Sequence, residues 1–264
     1  MLSTKILIIL VIILFASPFT CACDENEFKF MVQLITLDFE NNQRDCAGSY
    51  IAEKYILTAA HCVNNTKEIH IVDNDENQLK SLILDSNKAS VIHEKFCENK
   101  EKHRLDNDIA LIHLNDNQVA QIKRNIALRT ISVSYDYDIS EKTELYVLGW
   151  GTSDPNAVND KLEKKSVRKK NCEEEINDES VVCTHKDNVY KGDSGGPLIA
   201  DDKQIGIVSG GVEESILYTF LPYYKSWIAK NVEGPETDKN SSTEHVIIAV
   251  TMILCLMYIN FIYF

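Results

Sequence analysis

Apolar positions along this chain come in short runs rather than long stripes. From Phe28 to Leu37 they mix with Lys29, Gln33 and Thr36, the pattern of a half-buried strand. Asp45-Cys46-Ala47-Gly48-Ser49-Tyr50-Ile51 and Tyr55-Ile56-Leu57-Thr58-Ala59-Ala60-His61-Cys62 follow. Short β runs continue at Ile69 to Val72, Ser81 to Leu84 and Ala110 to Leu114. A second group holds Leu145 to Leu148, Val181-Val182, Pro197 to Ile199 and Gln204 to Val208. Many short strands at close spacing predict an all-β chain, a sandwich or a pair of barrels. One amphipathic segment, Tyr223 to Val232, predicts a helix near the end, and the polar residues 233–245, with Gly234-Pro235, read as a stalk.

Two longer apolar runs stand apart from this pattern. Lys5 precedes the run from Ile6 to Ala16, and Thr20-Cys21-Ala22 follows as a cleavage triplet, so residues 1–22 are expected to be an export signal. At the other end, residues 246–264 carry no charge. As a helix they extend about 28 Å, against a hydrocarbon core of roughly 30 Å. No Lys or Arg follows, and Asn240, Ser241 and Ser242 precede. The segment reads as a removed glycolipid-anchor signal or as a transmembrane helix. Either places the folded part, residues 23–232, outside the cell or on the extracellular face of the plasma membrane.

Export puts the cysteines in an oxidising compartment, where they pair. Cys23, Cys46, Cys62, Cys97, Cys172 and Cys183 remain after cleavage, an even count. Two sequons, Asn64-Asn65-Thr66 and Asn240-Ser241-Ser242, fit the same compartment. The 264 residues suffice for one large β domain or two small ones. With 27 basic and 40 acidic side chains the net charge is −13, which argues against a nucleic-acid partner and against docking on anionic lipid.

The candidate chemistry centres on Lys191-Gly192-Asp193-Ser194-Gly195-Gly196-Pro197-Leu198. Glycines let the backbone bring N–H groups close to a reacting atom, and those of Gly192 and Ser194 are candidates to face an oxyanion. A nucleophilic serine also needs a base, and the base needs an orienter. His61 interrupts an apolar segment beside Cys62 and is the candidate base. Asp108 heads the apolar Ile109-Ala110-Leu111-Ile112, where a carboxylate is costly unless paired, and a base able to become a cation is its natural partner.

Leu57-Thr58-Ala59-Ala60-His61-Cys62, Asn107-Asp108-Ile109-Ala110-Leu111 and Gly192-Asp193-Ser194-Gly195-Gly196-Pro197 resemble, in this order, the motifs of the chymotrypsin-like (trypsin-like) serine proteases. Gly149-Trp150-Gly151, Val208-Ser209 and Tyr218-Thr219 fall on matching segments, and the resemblance runs from about Phe28 to Val232. It implies two six-stranded antiparallel β-barrels with a C-terminal helix and a cleft between the barrels. It assigns His61 as general base, Asp108 as orienter and Ser194 as nucleophile, with Gly192 and Ser194 forming the oxyanion hole. Ser209, Gly210 and Gly211 would bind an extended polypeptide substrate through their backbone. It pairs Cys46 with Cys62 and Cys172 with Cys183, leaving Cys23 and Cys97, whose pairing stays open. It calls for no cofactor and no metal.

The chain departs from the family pattern at two places. The family's activation sequence, an Ile-Val-Gly-Gly-like start released by a cut, has no counterpart from Cys23 to Glu27. In active relatives the new amino terminus pairs with the acid before the nucleophile, here Asp193. Either Asp193 lacks such a partner, which leaves the site zymogen-like, or a lysine replaces it, with Lys164, Lys165 and Lys191 as candidates. The specificity pocket differs too. Asn188 takes the place of its floor, with Asp187 one residue off, and Ile216 stands where a small residue keeps it open. Tyr190 replaces one member of the cysteine pair that braces this region. A shallow, neutral or blocked pocket is expected, not a preference for Lys or Arg. Two functions follow: an extracellular serine endopeptidase, or a catalytically silent, membrane-associated binding module of the same fold.

Overall fold

A computed structural model describes residues 28–73, 80–99, 104–125, 128–140, 142–153, 161–173, 176 and 178–232. The expected export signal, Cys23, the expected stalk and the terminal apolar segment lie outside the described residues. Among those that are described, no helix is long and apolar enough to cross a membrane.

The first half of the chain forms β1 (Met31–Asp38), β2 (Gln43–Ala52), β3 (Tyr55–Thr58), the single turn α1 (Ala60–Val63), β4 (Thr66–Asp73), β5 (Lys80–Asp85), the turn α2 (Ser86–Ala89) and β6 (Ser90–Ile92). A small hairpin of β7 (Cys97–Asn99) and β8 (Arg104–Asp106) follows, then β9 (Ala110–His113) and α3 (Asp116–Asn125). The second half holds β10 (Leu145–Gly149), β11 (Glu163–Val167), β12 (Lys169–Lys170), β13 (Val181–His185), β14 (Pro197–Ala200), β15 (Lys203–Val212), β16 (Ser215–Phe220) and α4 (Lys225–Val232).

Each half makes one antiparallel sheet, in the orders β5-β4-β1-β2-β3-β9-β6 and β11-β10-β14-β15-β16-β13-β12. Seven strands are counted in each, one more than the six expected, because one run of chain occupies both edges. Residues 80–92 pair with β4, bend through α2 and pair again with β9. Residues 163–170 pair with β10, turn at Arg168 and pair again with β13. Each bent run curls its sheet toward closure, which removes exposed edges. The architecture is the expected all-β double barrel with a C-terminal helix.

Alternation explains the packing. β1 buries Val32 and Leu34 against Ile56, Leu57, Ile69, Ile71, Leu111 and Ile112 inside the first barrel. Val147, Leu198, Ile205, Val208 and Tyr218 fill the second. Each fully buried Leu, Ile or Val contributes about 1.5–3 kcal/mol. Phe30, Met31, Ala47, Ile131, Leu148 and Ile199 form a third cluster that joins the barrels. The buried Ser49 hydroxyl donates to Gln204 across the same seam at 2.6 Å. The predicted helix begins as a 3₁₀ turn, Leu221–Tyr224, before α4, and its Tyr224, Trp227 and Ile228 return to cover the first barrel.

A charged tie also crosses between the halves. Arg104 on β8, almost wholly buried, reaches Asp106 and Asp178, each at 2.6 Å. Burial pushes the Asp178 carboxyl up, but the Ser180 hydroxyl and N–H together with Arg104 outweigh it and hold the group down at about 2.

Candidate active site

β3 ends in Thr58 and the chain turns into α1, which carries His61 at the rim of the first barrel. Asn107, in the left-handed region at φ 53°, sits between β8 and β9 and donates to the Lys95 carbonyl. Asparagine tolerates this conformation better than other side chains. The kink delivers Asp108 beneath His61. One oxygen of Asp108 accepts the backbone N–H of His61 at 2.8 Å, and the other lies 2.7 Å from the ring Nδ1. Accepting there fixes the imidazole with its proton on Nδ1 and leaves Nε2 as the basic nitrogen. Asp108 is 1 % exposed. Its second oxygen also accepts the Ser209 hydroxyl at 2.6 Å, and its carbonyl accepts that of Thr219 at 2.8 Å.

Ser194 comes from the second half, on the turn before β14. Its carbonyl accepts the N–H of Ala47 at 2.7 Å. Cys46, next to Ala47, is bonded to Cys62, next to His61, so this short path ties the serine to the histidine. Gly195 packs so tightly on β3 that a Cβ there would lie 2.2 Å from the Thr58 hydroxyl. Among the described residues no hydrogen bond joins the Ser194 hydroxyl to His61. Such bonds are often loose without substrate and tighten when it arrives. Cys46, His61 and Cys62 cluster as metal ligands do, but both sulfurs are consumed in the disulfide.

Gly192 is at φ +103°, open to glycine alone, and lies against Gly151. Among the described residues the N–H groups of Gly192 and Ser194 have no protein acceptor. The turn between them is set by Asp193, whose carboxylate is wholly buried. The Lys165 ammonium lies 2.7 Å from both of its oxygens and donates to the Gly151 carbonyl at 2.6 Å. The N–H groups of Gly151 and Tyr190 each donate to the same carboxylate at 2.8 Å. Of the three candidate lysines, Lys164 lies over the Tyr146 ring and Lys191 is exposed; Lys165 reaches Asp193.

The expected floor of the specificity pocket carries no acid. Asn188, the expected floor, is exposed and left-handed at φ 59°, and Asp187 turns outward to Arg168 at 2.6 Å. Ile216 is buried with Val189, Val208 and Tyr218. A Cβ on Gly211 would lie 3.4 Å from the Ile216 side chain. The Tyr218 phenol, whose proton burial retains well above the usual range, bonds Thr184 at 3.0 Å. Gly210 faces open space. Cys172 and Cys183 are bonded beside this region, while Cys97 is exposed and has no sulfur partner among the described residues.

Sequence reasoning found the residues that resemble motifs but not their supports. Thr219 lies in a segment matching the family, but the sequence does not show that its hydroxyl reaches Asp108, nor that the hydroxyl of Ser209, whose expected part is its backbone, does so.

The trypsin family profile matches residues 20–228. A chymotrypsin of Phaedon cochleariae is 31 % identical over 209 residues, covering 71 % of this chain and 72 % of that protein. A trypsin of Sarcophaga bullata is 30 % identical over 211 residues, covering 71 % and 79 %. In fold, HL collagenase superposes with a TM-score of 0.60 at 23 % identity, over 79 % of this chain and 95 % of that one. Scabies mite inactivated protease paralogue S-I1 does so at 0.61 and 18 % identity, over 80 % and 97 %. With a match spanning both barrels, the chain belongs to the trypsin family, the chymotrypsin-like serine peptidases.

Proposed function

We propose that this chain is an extracellular serine endopeptidase acting through an acyl-enzyme. The observation that carries the reading is the His61 ring locked by Asp108 at 2.7 Å, with Nε2 left as base. In the proposed cycle Ser194 attacks the scissile carbonyl while His61 takes its proton. The Gly192 and Ser194 N–H groups receive the oxyanion, and Asp108 stabilises the imidazolium. His61 then passes the proton to the leaving amine, the acyl–Ser194 bond remains, and water releases it by the same route. The substrate backbone lies as an extra strand along Ser209, Gly210 and Gly211. The expected pocket floor carries Asn188 in place of an acid and Ile216 packs into the apolar core beside it, which supports neither Lys nor Arg before the cut. Residues 23–232 form the exported catalytic unit and residues 233–245 its stalk, tethered by a glycolipid that replaces residues 246–264 or by a transmembrane helix there.

The test is reaction with a fluorophosphonate and cleavage of peptides carrying Ala, Val, Phe or Lys before the cut. Labelling at Ser194 in the parent chain, lost in Ser194→Ala together with cleavage, is the expected result. Absence of labelling on folded parent protein defeats the reading. The burial of Ile216 at the expected pocket supports a second reading, a catalytically silent binding module, and Ser194-dependent cleavage of any peptide removes it.

A further inference from the structure

We propose that Lys165 is a built-in ammonium that sets the loop 191–196, so that the oxyanion donors form without a new amino terminus. The proposal rests on the endopeptidase reading and names what holds its site ready.

The Asp193 carboxylate has about four acceptor positions, and four contacts fill them: two from Lys165 and one each from Gly151 and Tyr190. The lysine is equally spent, with three donors on Asp193 twice and on the Gly151 carbonyl. The surrounding volume is closed as well. A Cβ on Gly149 would lie 2.2 Å from an Asp193 oxygen, and one on Gly151 2.6 Å from its carboxyl carbon. An arriving α-ammonium finds neither a free lone pair nor space.

Lys165 is held by backbone rather than by chance. It sits mid-strand on β11, opposite Val147 on β10, and the strand's alternation turns Lys165 and Val167 inward while Lys164 and Ser166 face out. The Tyr190 ring lies 5.6 Å from its ammonium. Burying an ion pair is a poor route to stability compared with apolar packing. What this one supplies is position. It anchors Asp193, whose N–H donates to the Tyr190 carbonyl at 3.1 Å and whose carbonyl accepts from Gly196 at 2.9 Å. Those bonds hold the turn that exposes the Gly192 and Ser194 N–H groups. Lys165 is thus a positioning residue that never touches substrate.

The experiment follows fluorophosphonate labelling of Ser194 in the full chain, with the amino terminus read by mass. Three proteins are compared: the parent, the parent with an uncleavable peptide extending its amino terminus, and Lys165→Ala. The extended parent is expected to label within twofold of the parent. Lys165→Ala is expected to lose about 100-fold in the maximal labelling rate, the scale of a lost oxyanion donor, with little change in probe affinity. Propylammonium, which fits the vacated side-chain space, is expected to restore at least tenfold in Lys165→Ala and nothing in the parent; a merely structural lysine shows no such rescue. Labelling that appears only after a cut frees a new amino terminus overturns the proposal, as does Lys165→Ala labelling at the parent rate. If Lys165→Ala does not fold, the extended parent decides: equal labelling supports the proposal and loss overturns it. A folded parent that never labels defeats the endopeptidase reading itself, which separates the two failures.

Discussion

Among the described residues two carboxylates are hidden from water, Asp108 at 1 % exposure and Asp193 at 0 %, and they are held in opposite ways. Asp108, on the first barrel, faces an imidazole, a hydroxyl and an N–H. Asp193, on the second, faces a lysine ammonium and two N–H groups. In the proposed cycle His61 takes a proton from Ser194 and passes it to the leaving amine, and Asp108 orients the ring that does so. The loop at Asp193 must keep one shape throughout, and its acid is held by a lysine and two backbone N–H groups at once. On the proposed reading the same buried side chain orients chemistry in one place and backbone in the other.

The comparison is broken most strongly at Asp108. Asp108→Asn keeps the shape but lets the amide present a donor to Nδ1, which selects the wrong tautomer. Steady-state kinetics should show kcat lower by about 10⁴-fold, the loss found for this change in the Ser-His-Asp template, with the fold intact by circular dichroism. A loss under tenfold would remove Asp108 from its role.

At Asp193 the sharper probe is the glycine beside it. Gly151→Ala drives a methyl to within 2.6 Å of the carboxyl carbon and must push Asp193 off Lys165. Breaking a buried pair costs about 3–5 kcal/mol, which lowers the melting temperature of a domain this size by about 10 °C. Labelling of Ser194 should slow by about 100-fold, as oxyanion-donor losses do. Gly210→Ala is the control: its added methyl meets nothing within 4 Å, and stability should stay within about 0.5 kcal/mol. Equal melting temperatures for the two variants would show that the close packing around Asp193 is compliant.

Much of this contrast was legible in the sequence, for physical reasons that differ by element. The apolar strands β1, β3, β9 and β10 announce themselves because a half-buried strand must alternate or run apolar. β11 does not: Glu163-Lys164-Lys165-Ser166-Val167 reads as a solvated charge run, since its inward position carries a lysine whose partner lies 28 residues away. The pairing of Asp193 with a lysine was foreseeable, but choosing Lys165 over Lys164 required knowing which face of β11 turns inward. α3 was missed despite a local signal. Asn115 and Gln118 exchange side-chain and backbone hydrogen bonds at 2.8 and 3.0 Å, a reciprocal cap written in the spacing Asn-x-x-Gln. The glycines around Asp193 were visible as Gly149-Trp150-Gly151, yet their reason, space for a buried ion pair, exists only in the folded chain.

The smallest effect on catalysis is expected from a pair of similar chemistry placed elsewhere. Arg104 and Asp178 also join the two halves of the chain, at 2.6 Å, but neither supports loop 191–196. Asp178→Asn should leave Ser194 labelling within twofold and should lower stability at neutral pH. The sign of its pH dependence follows from the native carboxyl lying at about 2, below its ordinary 3.8. A lowered native value means that stability is fully present above 3.8 and is lost as the pH falls through about 2. Urea unfolding midpoints of parent and Asp178→Asn should therefore differ most near pH 6 and converge near pH 2. If Asp178→Asn instead slows labelling as much as Lys165→Ala, control of the loop belongs to cross-barrel charge in general, and the contrast between Asp193 and Asp108 loses its specific cause.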